Sequence, residues 1–571
     1  MRPAAEPSVT AGRVALSLAA LGVLLAAADT YVVVLALPEI MLDVGLDAEQ
    51  LQRAAPIVSA FLLGYVAALP IAGRLSDLHG RRPVLLACLV LLAVGSLVTA
   101  AAPDLVAVVI GRFLQGAGGG GLVPATLALV ADLWPPQRRG VPLGVVGAVQ
   151  ELGAVVGPLL GALVLEVADW RAIFWLTLVL ALALAGGLRV GTGGSVRPLD
   201  RLGLSVAVFG LVALALALAA PAALSQDVTA GALYVPLVGG TPYATPLALA
   251  ALAAAAALLG RGLTARHPLV DLRRLPGSAR AADLAGAALL GLALGSVVLT
   301  FASADPEVEI LSPAGPWLLL LGAGALVAFV VRQRRTDHPL VPVETVRPRA
   351  AWGALAVSVL VGAALVVALV DVPVYARAVL EDESQLDAAL VLLRLLAALP
   401  VGAVAGGWLL RRAGCAATAA LGLSLATLAL ALMSRWDAQA LASTGATLTL
   451  AAAGLGFGLA VAPVNAALLG ATPAPVHGIA SALVVVARTV GMIVGLSALS
   501  AYGVRRFHAE AALVPPPTQL CPDSPAACPA YVSALRDAAL TQLQTTFGGA
   551  AACLAVATAL AAWLLRAPGK A

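Results

Sequence analysis

Long apolar runs follow one another along almost the whole chain, and short polar segments separate them. A helix needs about 20 apolar residues to cross a hydrocarbon core of roughly 30 Å. The pattern meets that length sixteen times, in blocks of six, four and six, and predicts an all-α polytopic membrane protein. The predicted helices are 14–38, 55–75, 83–102, 105–133, 140–165, 171–188, 203–221, 244–262, 282–303, 316–333, 351–374, 385–410, 415–434, 446–470, 477–503 and 546–566.

The three blocks predict three parts of the chain. We expect an N-terminal six-helix bundle over 1–198, a central insertion of four helices over 199–349, and a C-terminal six-helix bundle over 350–571. The insertion resembles a repeated hairpin, because DRLG at Asp200 matches DLAG at Asp283, and HPLV recurs 71 residues apart at His267 and His338. Chance similarity between two low-complexity apolar hairpins is the alternative.

Composition narrows the class of protein. Of 571 residues, 61% are hydrophobic and only 11% are charged, whereas about 25% of a soluble domain is charged. These values exclude a soluble enzyme and a nucleic-acid binder. The only lysine is Lys570, so a P-loop ATPase is excluded as well. Transport against a concentration gradient would therefore take its energy from an ion gradient or from a partner protein. We expect no cofactor and no metal.

Loop charges predict the orientation of the helices. Arginines concentrate in one alternate set of loops and acidic residues in the other, which by the positive-inside rule places both termini in the cytoplasm of a multi-pass plasma-membrane protein. Two loops depart from this charge pattern. The predicted cytoplasmic loop at His477 has no arginine, and the predicted exterior loop over 504–545 has three. An even number of crossings agrees with this orientation.

A motif lies in the loop after the second predicted helix. Residues 73–82 read GRLSDLHGRR, in which glycines permit a tight turn and charged side chains can pair between helices. The segment resembles the signature loop of the major facilitator superfamily. The resemblance implies a cytoplasmic gate, and its residues here are Gly73, Asp77, Gly80, Arg81, Arg82, Asp132 and Arg139. Ion pairs joining helix ends would hold one side of the transporter closed, and plain solvated loop charge is the alternative.

Three further motifs follow in order. They are DTYVVV at 29–34, GRFLQG at 111–116 and the helix-packing residues Gly153, Gly157, Pro158 and Gly161. Together they resemble the 14-helix drug:proton antiporter branch of that superfamily. The resemblance implies two six-helix bundles around a transport pathway, with glycines at i, i+4 spacing that allow close helix approach.

A narrower resemblance concerns the substrate. The segments AVQELG at 148–153, DWR at 169–171, VDV at 370–372 and HGIAS at 477–481 are similar to those of mycobacterial triacylglyceride exporters. This implies a lipid exporter that works with protons and with an extracytoplasmic lipid-binding lipoprotein. Those exporters have one central hairpin, whereas this chain is predicted to have two.

Charged residues within predicted helices are the sharpest functional signal. Each costs at least about 2.5–3.5 kcal/mol at the centre of a membrane unless it is paired or hydrated. The resemblance implies that Asp29, Glu151 and Arg488 take part in proton coupling, and that Arg112 supports the contact between two helices or the proton relay. A static ion pair that fixes helix packing is the alternative. Gln115, Asp371 and Arg394 are candidate cavity residues.

Two cysteines stand apart from the rest. Cys521 and Cys528 flank two prolines in the predicted exterior loop, where an oxidising compartment permits a disulfide, and two free thiols are the alternative. No motif of hydrolytic or metal chemistry is present in the sequence. We expect a proton-coupled, alternating-access exporter of triacylglyceride-like lipids. The alternatives are a polyspecific multidrug:proton antiporter, a gradient-independent lipid conduit and an envelope-assembly scaffold.

Overall fold

A computed structural model describes residues 9–47, 51–190, 200–237, 242–265, 268–269, 271–302, 314–379, 385–521 and 528–566. Regular structure in these ranges is helical, without a β-strand, so the all-α prediction is confirmed. Several residues of the sequence patterns lie outside the described residues, namely Arg197, Arg266, His267, Val270, Asp305, Glu307, Glu309, Glu381, Asp382, Glu383 and Lys570.

Fifteen long helices make up most of the described chain. They are α1 Val9–Asp43, α2 Leu51–His79, α3 Arg81–Ala100, α4 Leu105–Leu133, α5 Gly140–Val167, α6 Trp170–Val190, α7 Arg201–Ala219, α8 Pro246–Thr264, α9 Leu284–Ala302, α10 Gly315–Arg335, α11 Arg349–Val379, α12 Gln385–Met433, α13 Thr444–Ala471, α14 His477–Ala511 and α15 Pro529–Leu564.

Each of these helices is long and apolar enough to cross a membrane, which gives fifteen candidate spans among the described residues. The span within α12, Leu390–Met433, has 44 residues, and at 1.5 Å per residue it would measure about 66 Å. Gly414 interrupts it with φ 76° and ψ 174°, a conformation that glycine adopts without steric strain. Because the bilayer core is roughly 30 Å thick, α12 is long enough for two crossings, and the predicted total of sixteen is consistent with this length.

The helices separate into two compact units. The first contains Met1–Leu129, Val156–Gly291 and Ala328–Leu340, and the second contains Val130–Val155, Leu292–Val327 and Val341–Ala571. Helix α5 therefore contributes its first half to the second unit and its second half to the first. The domain boundaries at 198/199 and 349/350 stay predictions.

The first unit has an apolar core where α1, α2 and α6 meet. Val33, Ile40, Ile57 and Phe174 are buried there beside Trp170, whose ring meets Phe174 edge-on. In the second unit, the rings of Tyr375 near the end of α11, Trp436 just after α12 and Phe547 midway along α15 pack in series. These aromatic rings join three helices whose other buried residues are mostly alanine, leucine and valine.

The two central hairpins repeat one polar contact. Asp200 caps α7 by accepting a hydrogen bond from the Gly203 N–H, and Arg261 near the end of α8 donates to its carboxylate at 2.5 Å. Asp283 does the same for α9, accepting from the Gly286 N–H at 3.0 Å and from Arg332 Nε at 2.7 Å. Both arginines precede their HPLV segment by six residues, which supports the duplication.

This contact makes the first hairpin sensitive to acid. Hydrogen bonds from Arg261 and from the Gly203 N–H hold the pKa of the Asp200 carboxyl below its ordinary value. A carboxyl group whose pKa is lower in the folded state stabilises the fold at pH values above its pKa in the unfolded chain. We infer that this stabilisation is lost as the pH falls through the lower, folded-state value.

Removing the cap of the second hairpin is expected to loosen it. Asp283→Ala leaves the α9 N-terminus uncapped and Arg332 without its partner, and a lost N-cap alone costs about 0.5–2 kcal/mol. The measurement is the thermal midpoint of the detergent-solubilised protein. Asp337→Ala, at an exposed position just after α10, is the matched control and should leave the midpoint unchanged. Equal midpoints for both variants would contradict the capping role.

The predicted loop over 504–545 is wrong for most of its length. Helix α14 continues to Ala511 and α15 begins at Pro529, so residues 504–511 and 529–545 are helical. The prediction relied on hydropathy, which falls here because Arg505, Arg506, Asp537 and their neighbours are polar. Alanine, leucine, glutamine and arginine are nonetheless good helix formers, so the helices extend beyond their apolar stretches.

Candidate functional site

Asp29 lies in the middle of α1 and is 2% exposed. Its Oδ2 atom accepts a hydrogen bond from Arg112 Nη1 of α4 at 2.9 Å, and its Oδ1 atom accepts one from Gln115 Nε2 at 3.2 Å. Arg112 and Gln115 lie three residues apart on α4, so both face α1. The predicted proton-coupling residues Asp29 and Arg112 are thus in direct contact, together with the candidate cavity residue Gln115.

Arg112 is fully buried, and several groups receive its hydrogen bonds. In addition to the Asp29 carboxylate, its donors reach the Asp29 carbonyl at 3.2 Å and the Ile57 carbonyl at 3.4 Å. The guanidinium carbon lies 4.5 Å from the centre of the Phe61 ring and 5.8 Å from that of Phe174. The aromatic faces and the carboxylate compensate a charge that would otherwise be very unfavourable in an apolar bundle.

Gln115 connects this pair to α3. It donates to Ser96 Oγ at 3.0 Å and accepts from Thr99 Oγ1 at 3.2 Å. Asp29, Arg112, Gln115, Ser96 and Thr99 form one buried polar cluster across α1, α3 and α4. A proton arriving at Asp29 would change the bonds that Asp29 makes in the cluster, because a neutral carboxyl group attracts Arg112 less and carries a donor of its own.

The packing motif of α5 lies against the helix that carries Asp29. A Cβ atom on Gly157 would sit 2.5 Å from the Ala28 carbonyl oxygen, and one on Gly161 would sit 2.9 Å from Val32 Cγ2. Gly157 and Gly161 therefore let α5 approach α1 beside Asp29. Gly153 is buried and Pro158 is half-buried on the same helix.

Glu151 and Arg488 form an ion pair within the second unit. Arg488 Nη1 of α14 donates to Glu151 Oε1 of α5 at 3.2 Å, and their side chains are 19% and 12% exposed respectively. This pair is less buried than the Asp29 cluster. The residues of the predicted coupling set thus form two ion pairs, one in each compact unit.

Part of the predicted gate is in the first unit, between α2 and α3. Arg81 Nη1 donates to Asp77 Oδ1 at 2.5 Å and to Ser76 Oγ at 3.1 Å, and the Ser76 hydroxyl donates to the Gly73 carbonyl. Gly80, with φ 88°, provides the turn that brings Arg81 back towards Asp77. The neighbouring Arg82 is half-buried.

The other gate residues belong to the second unit. Arg139 is buried and donates to the Ala131 carbonyl at 2.7 Å and to the Trp134 carbonyl at 2.9 Å, so it satisfies carbonyls at the end of α4. Burial lowers the pKa of Arg139, and the charge of the exposed Asp132 opposes that shift. Asp132 therefore helps to keep Arg139 charged.

The remaining candidates lie in separate places of the second unit. Arg394 of α12 donates to Thr447 Oγ1 of α13 at 2.9 Å. Asp371 is buried in α11 at 6% exposure. The sulfur atoms of Cys521 and Cys528 are joined, and Cys528 immediately precedes α15.

Sequence reasoning missed several members of the site. Ser96 and Thr99 are polar residues in an apolar helix, and this alone could have marked them as partners of a buried charge. Ser76 lies inside the loop motif next to Asp77. Phe61 and Phe174 carried no such signal, because an aromatic ring beneath a buried arginine is indistinguishable in sequence from any other core residue.

The comparisons with known proteins agree with this architecture. A family model described as Major Facilitator Superfamily matches residues 19–331. The chain is also 37% identical over 514 residues to a protein of Mycolicibacterium hassiacum named triacylglyceride transporter, covering 88% of this chain and 81% of that protein. The chain belongs to the major facilitator superfamily, so it is a membrane transporter rather than an enzyme.

A second relative and two solved structures extend the comparison. A Mycobacterium tuberculosis protein, also named triacylglyceride transporter, is 36% identical over 511 residues, covering 87% of this chain and 83% of that protein. The human organic anion transporter MFSD10 has a TM-score of 0.55 at 17% identity and covers 97% of this chain and 100% of its own. The proton:xylose symporter XylE has a TM-score of 0.51 at 15% identity, covering 96% and 95%. Both structures share the major facilitator fold.

Proposed function

We propose that this protein is a proton-coupled exporter of triacylglyceride-like lipids that works by alternating access. The observation that carries the proposal is the buried Asp29–Arg112 pair, a titratable group held among apolar helices by a partner that would bind it less strongly once protonated. The name of the relatives at 36–37% identity supports the lipid substrate. A lipid-binding lipoprotein on the exterior would receive the cargo.

The proposed orientation follows from the loop arginines. Both termini lie in the cytoplasm of the plasma membrane, and the Asp77–Arg81 contact lies on the cytoplasmic side as part of the gate. Protons then enter from the exterior and are released inside. One charge moving through 100 mV supplies about 2.3 kcal/mol, which is enough for a modest uphill gradient of lipid.

The proposal is tested in proteoliposomes that contain the purified protein and a fluorescent triacylglycerol. We expect lipid transfer across the bilayer to increase when a proton gradient is imposed and to return to the protein-free rate when an uncoupler is added. Transfer that is insensitive to the uncoupler would instead identify a gradient-independent conduit. Efflux of a cationic dye without lipid transfer would identify a multidrug antiporter.

Neutralising Glu151 is expected to reduce gradient-driven transport strongly. Glu151→Gln keeps the size of the side chain and removes the charge that binds Arg488. Because glutamine does not take up or release a proton, the contact with Arg488 no longer depends on protonation. The measurement is the ratio of transport with and without the gradient. Glu166→Gln, an exposed glutamate on the same helix, is the matched control and should keep the wild-type ratio. A wild-type ratio in Glu151→Gln would exclude this residue from coupling.

A further inference from the structure

A second carboxyl group is buried in the membrane-spanning part of the second unit, and its environment differs from that of Asp29. Asp371 of α11 is 6% exposed, and its Oδ2 atom is buried without a hydrogen-bond partner. Asp29, by contrast, has a guanidinium on one oxygen and an amide on the other. An ionised carboxylate with an unpartnered buried oxygen is strongly unfavourable, whereas the neutral acid is far less so.

The one polar contact of Asp371 with a hydroxyl group gives its carboxylate little support. A proton donated by Thr546 of α15 to Asp371 would favour the ionised carboxylate, but the Thr546 hydroxyl donates to the Leu543 carbonyl at 2.9 Å. A hydroxyl group has one proton to donate. While Thr546 donates to Leu543, that proton does not stabilise an ionised Asp371.

Cations do not compensate this carboxyl group within the part of the chain that the structure describes. None of the ionisable side chains on the surrounding elements forms an ion pair or hydrogen bond with Asp371. Those side chains include Tyr375 and Arg377 on α11, Arg394 on α12, Arg435 and Asp437 after α12, Tyr502 and Arg505 on α14, and Arg536 and Asp537 on α15. Arg394 and Arg536 instead donate to Thr447 and to the Ala378 carbonyl.

A polar cleft lies beside the helix that carries the Asp371 partner Thr546. It has a volume of about 420 Å³, and its lining includes Asp437, Gln439, Asp537, Thr541 and Gln544. Gln544 precedes Thr546 by two residues on α15, or about 3 Å along the helix axis. The lining of the cleft therefore comes within one helical turn of the Asp371 partner.

The wall of the cleft is tied to the helices that hold Asp371. Tyr375, one turn beyond Asp371, donates its hydroxyl proton to the Asp437 carbonyl, and Gln544 donates to the Trp436 carbonyl at 2.7 Å. Pro373 leaves the Leu369 carbonyl without its helical hydrogen bond, which permits α11 to bend just beside Asp371. A bend there would change the contact between Asp371 and Thr546.

We propose that Asp371 is a second proton-carrying group of this transporter, protonated in the present conformation and exchanging its proton with water in the cleft lined by Asp437 and Asp537. The exchange breaks the O–H bond of the carboxyl group and passes the proton to a water molecule, leaving a carboxylate. This inference rests on the proposed proton coupling. It adds a site in the second unit to the site at Asp29 in the first.

The direct test is infrared difference spectroscopy of the full-length protein in lipid, recorded between mildly acidic and alkaline pH. A protonated carboxyl group gives a C=O stretching band that a carboxylate lacks. We expect Asp371→Asn to lose one such band and the cleft variant Asp537→Asn to retain it. A spectrum of Asp371→Asn identical to that of the wild type would overturn the proposal.

A second variant guards against misfolding. Asp371→Leu removes the carboxyl group and should remain folded with the same band missing, because the neutral acid in this pocket has no ion pair to lose.

A transport measurement then separates the two proposals. If proton coupling at Asp29 is correct and Asp371 carries a second proton, Asp371→Asn should lower the number of protons moved per lipid. An unchanged ratio with coupling intact would overturn the second site alone, whereas wild-type transport that ignores the gradient would overturn the proposed function.

Discussion

Replacing Asp29 with Asn is expected to abolish gradient-driven transport and to destabilise the protein. The substitution leaves the fully buried Arg112 without its carboxylate, and breaking a buried ion pair costs about 3–5 kcal/mol. It also removes the group that would take up and release the proton. The measurements are lipid transfer in proteoliposomes under a proton gradient and the thermal midpoint in detergent.

Helix α1 offers a matched control. Asp43 pairs with Arg171 near the end of the same helix, and these side chains are 44% and 27% exposed respectively. Because exposed ion pairs contribute about 0–1 kcal/mol, Asp43→Asn should leave transport and stability close to wild type. Equal behaviour of Asp29→Asn and Asp43→Asn would contradict any special role of the buried pair.

A double substitution separates coupling from folding. Asp29→Asn combined with Arg112→Gln removes both charges, and removing a whole buried pair is much less destabilising than removing one partner. We expect the double variant to recover most of the thermal midpoint but none of the gradient-driven transport. Recovery of transport as well would show that the pair only fixes helix packing.

Adding one methyl group to Gly157 is expected to have the second large effect. Its Cβ atom would lie 2.5 Å from the Ala28 carbonyl oxygen, so α1 and α5 must separate. Overpacking of this kind costs about 1–3 kcal/mol, and the displaced segment carries Asp29 as its next residue. Gly157→Ala should therefore lower both the thermal midpoint and the rate of gradient-driven lipid transfer.

Gly186 of α6 is the control for that substitution. A Cβ atom there meets no heavy atom within 4 Å, and alanine is favoured over glycine in a helix by about 0.8–1 kcal/mol. Gly186→Ala should leave transport unchanged and should not lower the thermal midpoint. A Gly157→Ala protein as stable and active as Gly186→Ala would show that α5 does not hold α1 closely.

The duplicated hairpin shows which structural features a sequence repeat can predict. The repeated DxxG and HPLV segments predicted two equivalent hairpins, and the Asp200–Arg261 and Asp283–Arg332 contacts occur at equivalent positions. The arginines themselves were not singled out in advance. Their role depends on the antiparallel return of the second helix, which brings its end beside the start of the first.

The sequence by itself determined the class of protein and the family, and it predicted sixteen crossings. These follow from hydropathy and motif spacing, because an apolar run long enough to cross the membrane must satisfy its backbone hydrogen bonds within a helix. It also predicted a set of intramembrane charges for proton coupling, since Asp29, Arg112, Glu151 and Arg488 stand out in apolar surroundings.

Only the tertiary structure decided which of those charges pair and which side chains complete the sites. Partners such as Asp29 and Arg112 are 83 residues apart in sequence, and helix packing alone sets their distance. The buried Asp371 Oδ2 atom without a hydrogen-bond partner and the helical form of 529–545 also needed the structure. Pairing and burial depend on neighbours from other helices, and the local pattern of a single helix carries no information about them.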